Sequence, residues 1–282
     1  MKKYYQYILL FFLLFGLVCF LFSKLIFGAY IFISSDTLAP QAFKQSILNI
    51  KNNYGYFSYW FPYIFSGMPT IHSFIGIHEL YLPHHFIDSL FNIFHIPWSW
   101  NFFIHYIFAG FGMYLLIQYF NQSKLSSIFG SVLFMLNPYM VAYYVHGHGG
   151  QMMTACYIPW IILFLLRSYK KNDFLNYALL ALMIGLQLQR GHIQIAYYTW
   201  LMMGLYILID FIANIKSFKN ISYISLLKKK MSILFSLFLG FLFSFNIYYP
   251  VMNYTPLSIR GMESGGFGLE KATMWSFSFN EF

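Results

Sequence analysis

Long apolar runs recur along the chain, and short polar segments separate them. An α-helix needs about 20 apolar residues to cross a bilayer, and its backbone groups must be satisfied within the segment. We therefore predict an all-α polytopic membrane protein with about seven transmembrane helices. The predicted spans are Tyr5–Phe27, Trp98–Phe120, Leu125–Val145, Met152–Leu166, Phe174–Gln189, Ile195–Ala213 and Met231–Tyr249. Within the third span, Asn137 and Pro138 are expected to bend or interrupt the helix.

The longest segment without a predicted span, residues 28–97, is predicted to be the first extracytoplasmic loop. Pro40 suits the first turn of a helix. Apolar residues recur around it at helical spacing, at Ala39, Phe43, Ile47 and Ile50. We expect this helix to lie in the plane of the membrane interface. Residues 59–69 hold two prolines, a glycine and many aromatic rings, which predicts a structured interfacial loop rather than a helix or strand.

The composition supports membrane insertion, because only 9% of the 282 residues are charged and 59% are hydrophobic. A soluble domain carries about 25% charged residues. The formal charge of +9 would suggest a nucleic-acid partner in a soluble protein. Here the basic residues follow the topology instead, so we predict no nucleic-acid partner. Cys19 and Cys156 both fall in apolar runs, which excludes a disulfide framework and a Cys-x-x-Cys metal site.

The placement of charged residues predicts the orientation of the chain. The densest basic clusters, 167–171 and 228–230, fall in short loops on the same side as the N-terminus. The positive-inside rule assigns that side to the cytoplasm. Most of the acidic residues, and all nine histidines, fall on the opposite side or at the outer ends of predicted spans. We therefore expect the outer side to carry the chemistry.

Asp36 is the first acidic residue of the chain and follows the first predicted span. One interpretation is an ordinary solvated loop carboxylate. A carboxylate at the membrane boundary would instead be partly desolvated, which suits a general base. We therefore predict that Asp36 is catalytic.

The segment from His146 to Gln151 is a glycine-rich turn that is dense in hydrogen-bonding groups. It has three interpretations: a polar turn that caps two helices, a metal site, or donors for a phosphate or sugar. A His-x-His pair fixes no third metal ligand, so we assign no metal site and leave the cofactor unknown. We prefer the third interpretation and predict that His148 and Gln151 bind substrate.

Arg190, His192 and Arg260 lie at the outer ends of spans or in the last outer segment. An arginine there can extend towards lipid headgroups, or it can bind a phosphate with its planar guanidinium. We predict that both arginines bind phosphate and that His192 helps to orient the substrate.

Several short motifs, taken in order, resemble one known family. They are Asp36-Thr-Leu-Ala-Pro-Gln41, Trp60-Phe-Pro-Tyr-Ile-Phe-Ser-Gly-Met-Pro69, Gly147-His-Gly-Gly-Gln151, Ile158-Pro-Trp160, Arg190-Gly-His-Ile-Gln194, Ser258-Ile-Arg-Gly261 and Ala272-Thr-Met-Trp-Ser276. The chain resembles the YfhO family of bacterial polytopic membrane proteins, of the GT-C glycosyltransferase type. The resemblance covers nearly the whole chain from Asp36 onward.

The resemblance implies one GT-C-like domain over residues 1–282, in the bacterial cytoplasmic (inner) membrane. It implies transfer of a sugar from a polyprenyl-phosphate donor to an envelope acceptor on the outer face, with a lipid-linked sugar and membrane lipid as partners. Asp36 matches the acidic residue that acts in catalysis in GT-C enzymes. Family members are generally longer, so residues 250–282 are expected to begin a later extracytoplasmic region that is truncated here.

Two other functions fit parts of the pattern. A non-enzymatic membrane protein, such as a lipid flippase or an envelope-assembly partner, would use the same arginines to bind lipid phosphate. An ion-coupled transporter is disfavoured, because the predicted spans lack a relay of buried carboxylates or histidines.

Overall fold

The structure is a computed structural model that describes residues 2–28, 30–64, 66–73, 77–215 and 223–258, together with 261, 268–269, 273–274 and 276. The described chain is nearly all-α. Five helices in these ranges are long and apolar enough to cross a membrane, and a sixth is reached if one bent pair forms a single span. The remaining predicted span, Phe174–Gln189, is a shorter apolar helix. A polytopic membrane protein is supported, and the count of seven spans stays a prediction.

The helices of the first part of the chain are α1 (Lys2–Leu21), α2 (Ser23–Phe27), α3 (Ser35–Tyr54), α4 (Leu82–Phe94), α5 (Trp100–Tyr119), α6 (Lys124–Met135) and α7 (Pro138–Val145). Those of the second part are α8 (Gly149–Ala155), α9 (Ile158–Lys171), α10 (Phe174–Gln189), α11 (Ile193–Ile215), α12 (Tyr223–Phe243) and α13 (Phe245–Tyr254). Two short strands, β1 (Trp60–Phe61) and β2 (Met68–Pro69), pair antiparallel.

Two apolar cores hold the bundle together. One joins α1 to α5–α8, and the other joins α9 to α10–α13. In α1 the buried residues Leu10, Leu14 and Val18 recur every fourth position, as expected for one face of a helix. Trp160 links the two cores, because its ring stacks on Phe108 at 4.9 Å and its Nε1 donates to the Phe108 carbonyl at 2.9 Å.

The predicted interruption at Asn137 and Pro138 is confirmed. The helix stops at Met135 and restarts at Pro138. Asn137 caps the new helix, because its Oδ1 accepts the Met140 N–H at 3.1 Å and its Nδ2 donates to the Phe134 carbonyl at 2.7 Å. The chain therefore satisfies the backbone groups that the proline frees.

Three predicted spans differ from the helices of the structure. The first helix ends at Leu21, and the fourth span runs from Gly149 to Lys171 as two consecutive helices. The last span is bent by 74° at Ser244. At the bend, the Ser244 hydroxyl donates to the Phe241 carbonyl at 3.0 Å.

The first loop is more ordered than the sequence predicted. α3 begins at Ser35 and not at Pro40, because Ser34 caps the helix earlier. α4 was not predicted. The aromatic segment contains the strands β1 and β2, with Gly67 at φ +112° beneath the Trp60 ring. The placement of α3 in the membrane interface stays a prediction.

One contact within the first loop and one contact with the bundle hold this loop over one end of the helices. Lys51 Nζ lies 2.9 Å from Glu79 Oε2, which ties the end of α3 to the segment before α4. The rings of His72 and Tyr254 lie 5.9 Å apart, and this contact joins the loop to α13. The same end of the bundle carries the α7–α8 turn and the α10–α11 turn.

Candidate functional site

Asp36 lies in the first turn of α3. Ser34 is the N-cap of this helix, because its Oγ accepts the Thr37 backbone N–H at 3.2 Å. A carboxylate in the first helical turn interacts favourably with the helix dipole. More than half of the Asp36 side chain is exposed (56%), so the chain itself supplies little of the desolvation that the sequence predicted.

The turn between α7 and α8 approaches this helix end closely. Gly147 has a φ of +87°, and a Cβ at this position would lie 2.7 Å from both the Asp36 carbonyl carbon and the Thr37 nitrogen. Glycine adopts this conformation readily and brings no side chain into the contact. The turn thereby places His148 Nε2 3.2 Å from Asp36 Oδ2. Two predicted site residues that are far apart in sequence therefore meet.

His192 comes immediately before α11 and lies near enough to His148 to interact with it electrostatically. Its Nδ1 accepts the Ile195 backbone N–H at 3.4 Å, which leaves Nε2 as the donor of the neutral ring. Burial lowers the pKa of His192, and the nearby charge of His148 lowers it further. His192 is therefore a neutral hydrogen-bond donor at pH 7, on the same side of the bundle as His148.

Arg190 is the most unusual predicted residue. It follows α10, and Gly191, at φ +75°, turns the chain into α11. The arginine is buried (8% exposed). Its Nη2 donates to Met153 Sδ at 3.0 Å, whereas Nε and Nη1 have no hydrogen-bond partner among the described residues. Burial lowers the pKa of Arg190, although the guanidinium still carries its charge at neutral pH.

Aromatic and neutral polar groups surround this guanidinium. Its carbon lies 4.5 Å from the centroid of the Tyr81 ring, a cation–π geometry. In the part of the chain that the structure describes, no carboxylate forms an ion pair with Arg190. A buried charge is strongly destabilising unless a partner compensates it. The arrangement can therefore bind an anion.

A chain of hydrogen bonds between uncharged groups lies beside Arg190, and we call it the Tyr81 network. The sequence did not predict it. It consists of Asn101, His105, Tyr81 and Tyr157. His105 Nδ1 donates to the Asn101 carbonyl at 2.7 Å, so Nε2 accepts from the Tyr81 hydroxyl at 3.3 Å. The Tyr157 hydroxyl then donates to the Tyr81 oxygen.

Little in the sequence distinguishes these residues. The chain has 25 tyrosines, so Tyr81 and Tyr157 carry no individual signal. His105 is a polar residue inside an apolar run, and this is the one available signal, because Asn101 contributes only its backbone carbonyl.

The remaining predicted residues are less informative. Gln151 lies in α8, and its Oε1 is buried without a hydrogen-bond partner among the described residues. Its side chain is not hydrogen-bonded to Asp36 or His148. Arg260 lies outside the described residues, so its role stays a prediction. No three metal-ligating side chains lie together within the described ranges.

Comparison with known proteins gives no relative for this geometry. No family model, no curated protein and no solved structure matches the chain. The resemblance to the YfhO family therefore stays an expectation from the sequence motifs.

Proposed function

We propose that this chain is a membrane glycosyltransferase, which transfers a sugar from a polyprenyl-phosphate donor to an acceptor of the cell envelope. The contact between Asp36 and His148, at the end of the bundle that also holds the buried Arg190, carries the proposal. This end of the bundle therefore has an accessible base, Asp36, and an anion-binding group, Arg190. Sugar transfer from a lipid phosphate needs both.

The proposed reaction uses Asp36 as the general base. Its carboxylate takes the proton of an acceptor hydroxyl while the hydroxyl oxygen attacks the anomeric carbon of the sugar. The bond from that carbon to the donor phosphate oxygen breaks, and the electron pair leaves with the polyprenyl phosphate. Attack from the face opposite the leaving group inverts the anomeric configuration. His148 orients the carboxylate, and the Nε2–H of His192 is available to the sugar or phosphate.

Arg190 binds the phosphate in this scheme. Its charge is not neutralised by any described carboxylate, so it can stabilise the negative charge that grows on the leaving group. A buried donor does this more effectively than a solvated one, because the surroundings screen it less.

The surroundings of Asp36 favour a substrate that arrives from lipid. Ile31, Ile33 and Leu38 are large apolar side chains next to it in sequence, and all three are exposed. Exposed apolar residues around a single carboxylate suit the boundary between acyl chains and headgroups.

The test uses the purified chain in lipid nanodiscs with radiolabelled polyprenyl phosphosugars and a panel of envelope acceptors. We expect sugar transfer with release of polyprenyl phosphate, and loss of transfer by at least about a hundredfold in Asp36→Asn. Asp173→Asn is the matched control, because Asp173 also lies at a helix N-terminus and asparagine caps helices equally well. It should retain wild-type transfer.

Binding of the donor without transfer by the wild-type protein would instead favour the non-enzymatic alternative. Wild-type transfer rates in Asp36→Asn would remove Asp36 from catalysis.

A further inference from the structure

The buried guanidinium of Arg190 has polar hydrogens that the described chain does not satisfy. Nε and Nη1 have no partner, and Nη2 reaches only a thioether sulfur, which is a weak acceptor. Because desolvating a charge is unfavourable, the side chain needs other interactions to stay in this position while no anion is bound.

Tyr81 provides the closest of these interactions. Its ring covers the guanidinium at 4.5 Å and is itself buried (2% exposed). The residue comes from the segment before α4, whereas Arg190 follows α10. The next residue ties the two elements together, because the Leu82 N–H donates to Gln189 Oε1 at 3.0 Å.

The hydroxyl of Tyr81 is held by two neighbours. It donates to His105 Nε2 and accepts from Tyr157, so its ring cannot rotate freely away from Arg190. Burial raises the pKa of Tyr81, which keeps the phenol protonated at neutral pH. The Tyr81 network therefore orients the arginine without neutralising it.

We infer that Tyr81 is a positioning residue, which the Tyr81 network holds against Arg190 so that the guanidinium is already oriented for a phosphate anion. This inference rests on the proposed role of Arg190 as the phosphate-binding group. Orienting a flexible side chain before binding lowers the entropy that the ligand must overcome.

The experiment measures the Kd of polyprenyl phosphate, used as the probe, for the full chain in nanodiscs. We expect Tyr81→Phe, which keeps the ring but loses both hydrogen bonds, to weaken binding by about threefold, and Tyr81→Leu by about tenfold. Tyr106→Phe is the matched control. Tyr106 is equally buried and its hydroxyl also makes a buried hydrogen bond, to the Met140 carbonyl at 2.8 Å, but it does not touch Arg190. It should lower the melting temperature without changing Kd.

A double-mutant cycle separates positioning from general stability. In an Arg190→Gln background, Tyr81→Leu should have no further effect on Kd, because the residue acts through the arginine. The inference would be overturned if Tyr81→Leu raised Kd by the same factor with and without Arg190. It would also be overturned if the wild-type chain bound the probe and Tyr81→Leu left Kd unchanged. Either result would leave the proposed function intact. Absence of probe binding by the wild-type chain would overturn both.

Discussion

The side chains of the candidate site differ in how much of their surface is exposed. Asp36 and His148 each expose about half of their side chains, whereas Arg190 and Tyr81 are almost fully buried. A proton acceptor has to meet a water-borne or lipid-borne hydroxyl, so exposure suits it. A group that stabilises a leaving phosphate gains strength from burial, because charges interact more strongly away from water.

His192 allows a prediction about pH. Burial, and then the charge of His148, lower its pKa from the ordinary value of 6.5. The unfolded chain therefore binds a proton at this residue more readily than the folded chain does. His192 contributes fully to the free energy of unfolding when the pH is above 6.5, the pKa of the unfolded chain. This contribution is lost as the pH falls below that pKa towards the lower pKa of the folded chain.

We expect the melting temperature of the protein in detergent micelles to fall between about pH 7 and pH 5, and His192→Asn to reduce this fall. Asparagine preserves the capping acceptor for Ile195. His146→Asn, at an exposed histidine of the α7–α8 turn, serves as the control. An unchanged pH dependence in His192→Asn would contradict the account.

The identities of these residues were predictable to different degrees. Asp36, His148, Arg190 and His192 are conspicuous because polar residues are scarce in this chain and because these four lie at the predicted outer ends of spans or in outer loops. Their mutual contacts depend on which helix ends meet, and the spacing of residues in the sequence does not determine this. Tyr81 was not predictable, since its importance arises only from its neighbours.

At the scale of elements, the α7–α8 turn determines whether the site forms. It brings His148 to Asp36 only because Gly147 lets two backbones approach. The turn follows a helix that Asn137 restarts, so the position of the turn depends on that break as well.

Gly147→Ala should therefore disrupt the site. A side chain at positive φ costs about 1–3 kcal/mol, and its Cβ would also push against the backbone of α3. We expect a lower melting temperature and loss of sugar transfer. Gly150→Ala is the control: a Cβ there meets nothing within 4 Å, and alanine in a helix is favourable by about 0.5–1 kcal/mol. Transfer at wild-type rates in Gly147→Ala would show that the contact is not needed.

The elements themselves were predictable where lipid imposes a rule. Long apolar helices were predictable because a membrane requires continuous apolar runs, and the helix break at Pro138 was predictable because proline interrupts helices for a known steric reason. The bend at Ser244 was missed because serine is only a weak helix breaker. The start of α3 was misplaced because a serine N-cap outweighed the preference of proline for a first turn.

At the scale of the whole molecule, the candidate site residues lie at one end of the bundle and the basic clusters lie at the other. The positive-inside rule predicts that the end of the bundle with Asp36, His148, His192 and Arg190 lies on the extracytoplasmic side of the membrane. The opposite end carries the basic clusters at 167–171 and 228–230. A lipid-linked sugar on the outer face would meet the first end only.

The proposed function requires that the end of the bundle with Asp36 lies on the outer side of the membrane, and this orientation can be measured. The two native cysteines are first removed by Cys19→Ala and Cys156→Ala. A single cysteine then replaces either His146, beside the site, or Asn121, in the α5–α6 turn at the opposite end. Both positions are exposed. A membrane-impermeant maleimide should label the cysteine at 146 in intact bacterial spheroplasts and the cysteine at 121 only after permeabilisation. Labelling at 121 but not at 146 in intact spheroplasts would contradict this orientation and the proposed sugar transfer on the outer face.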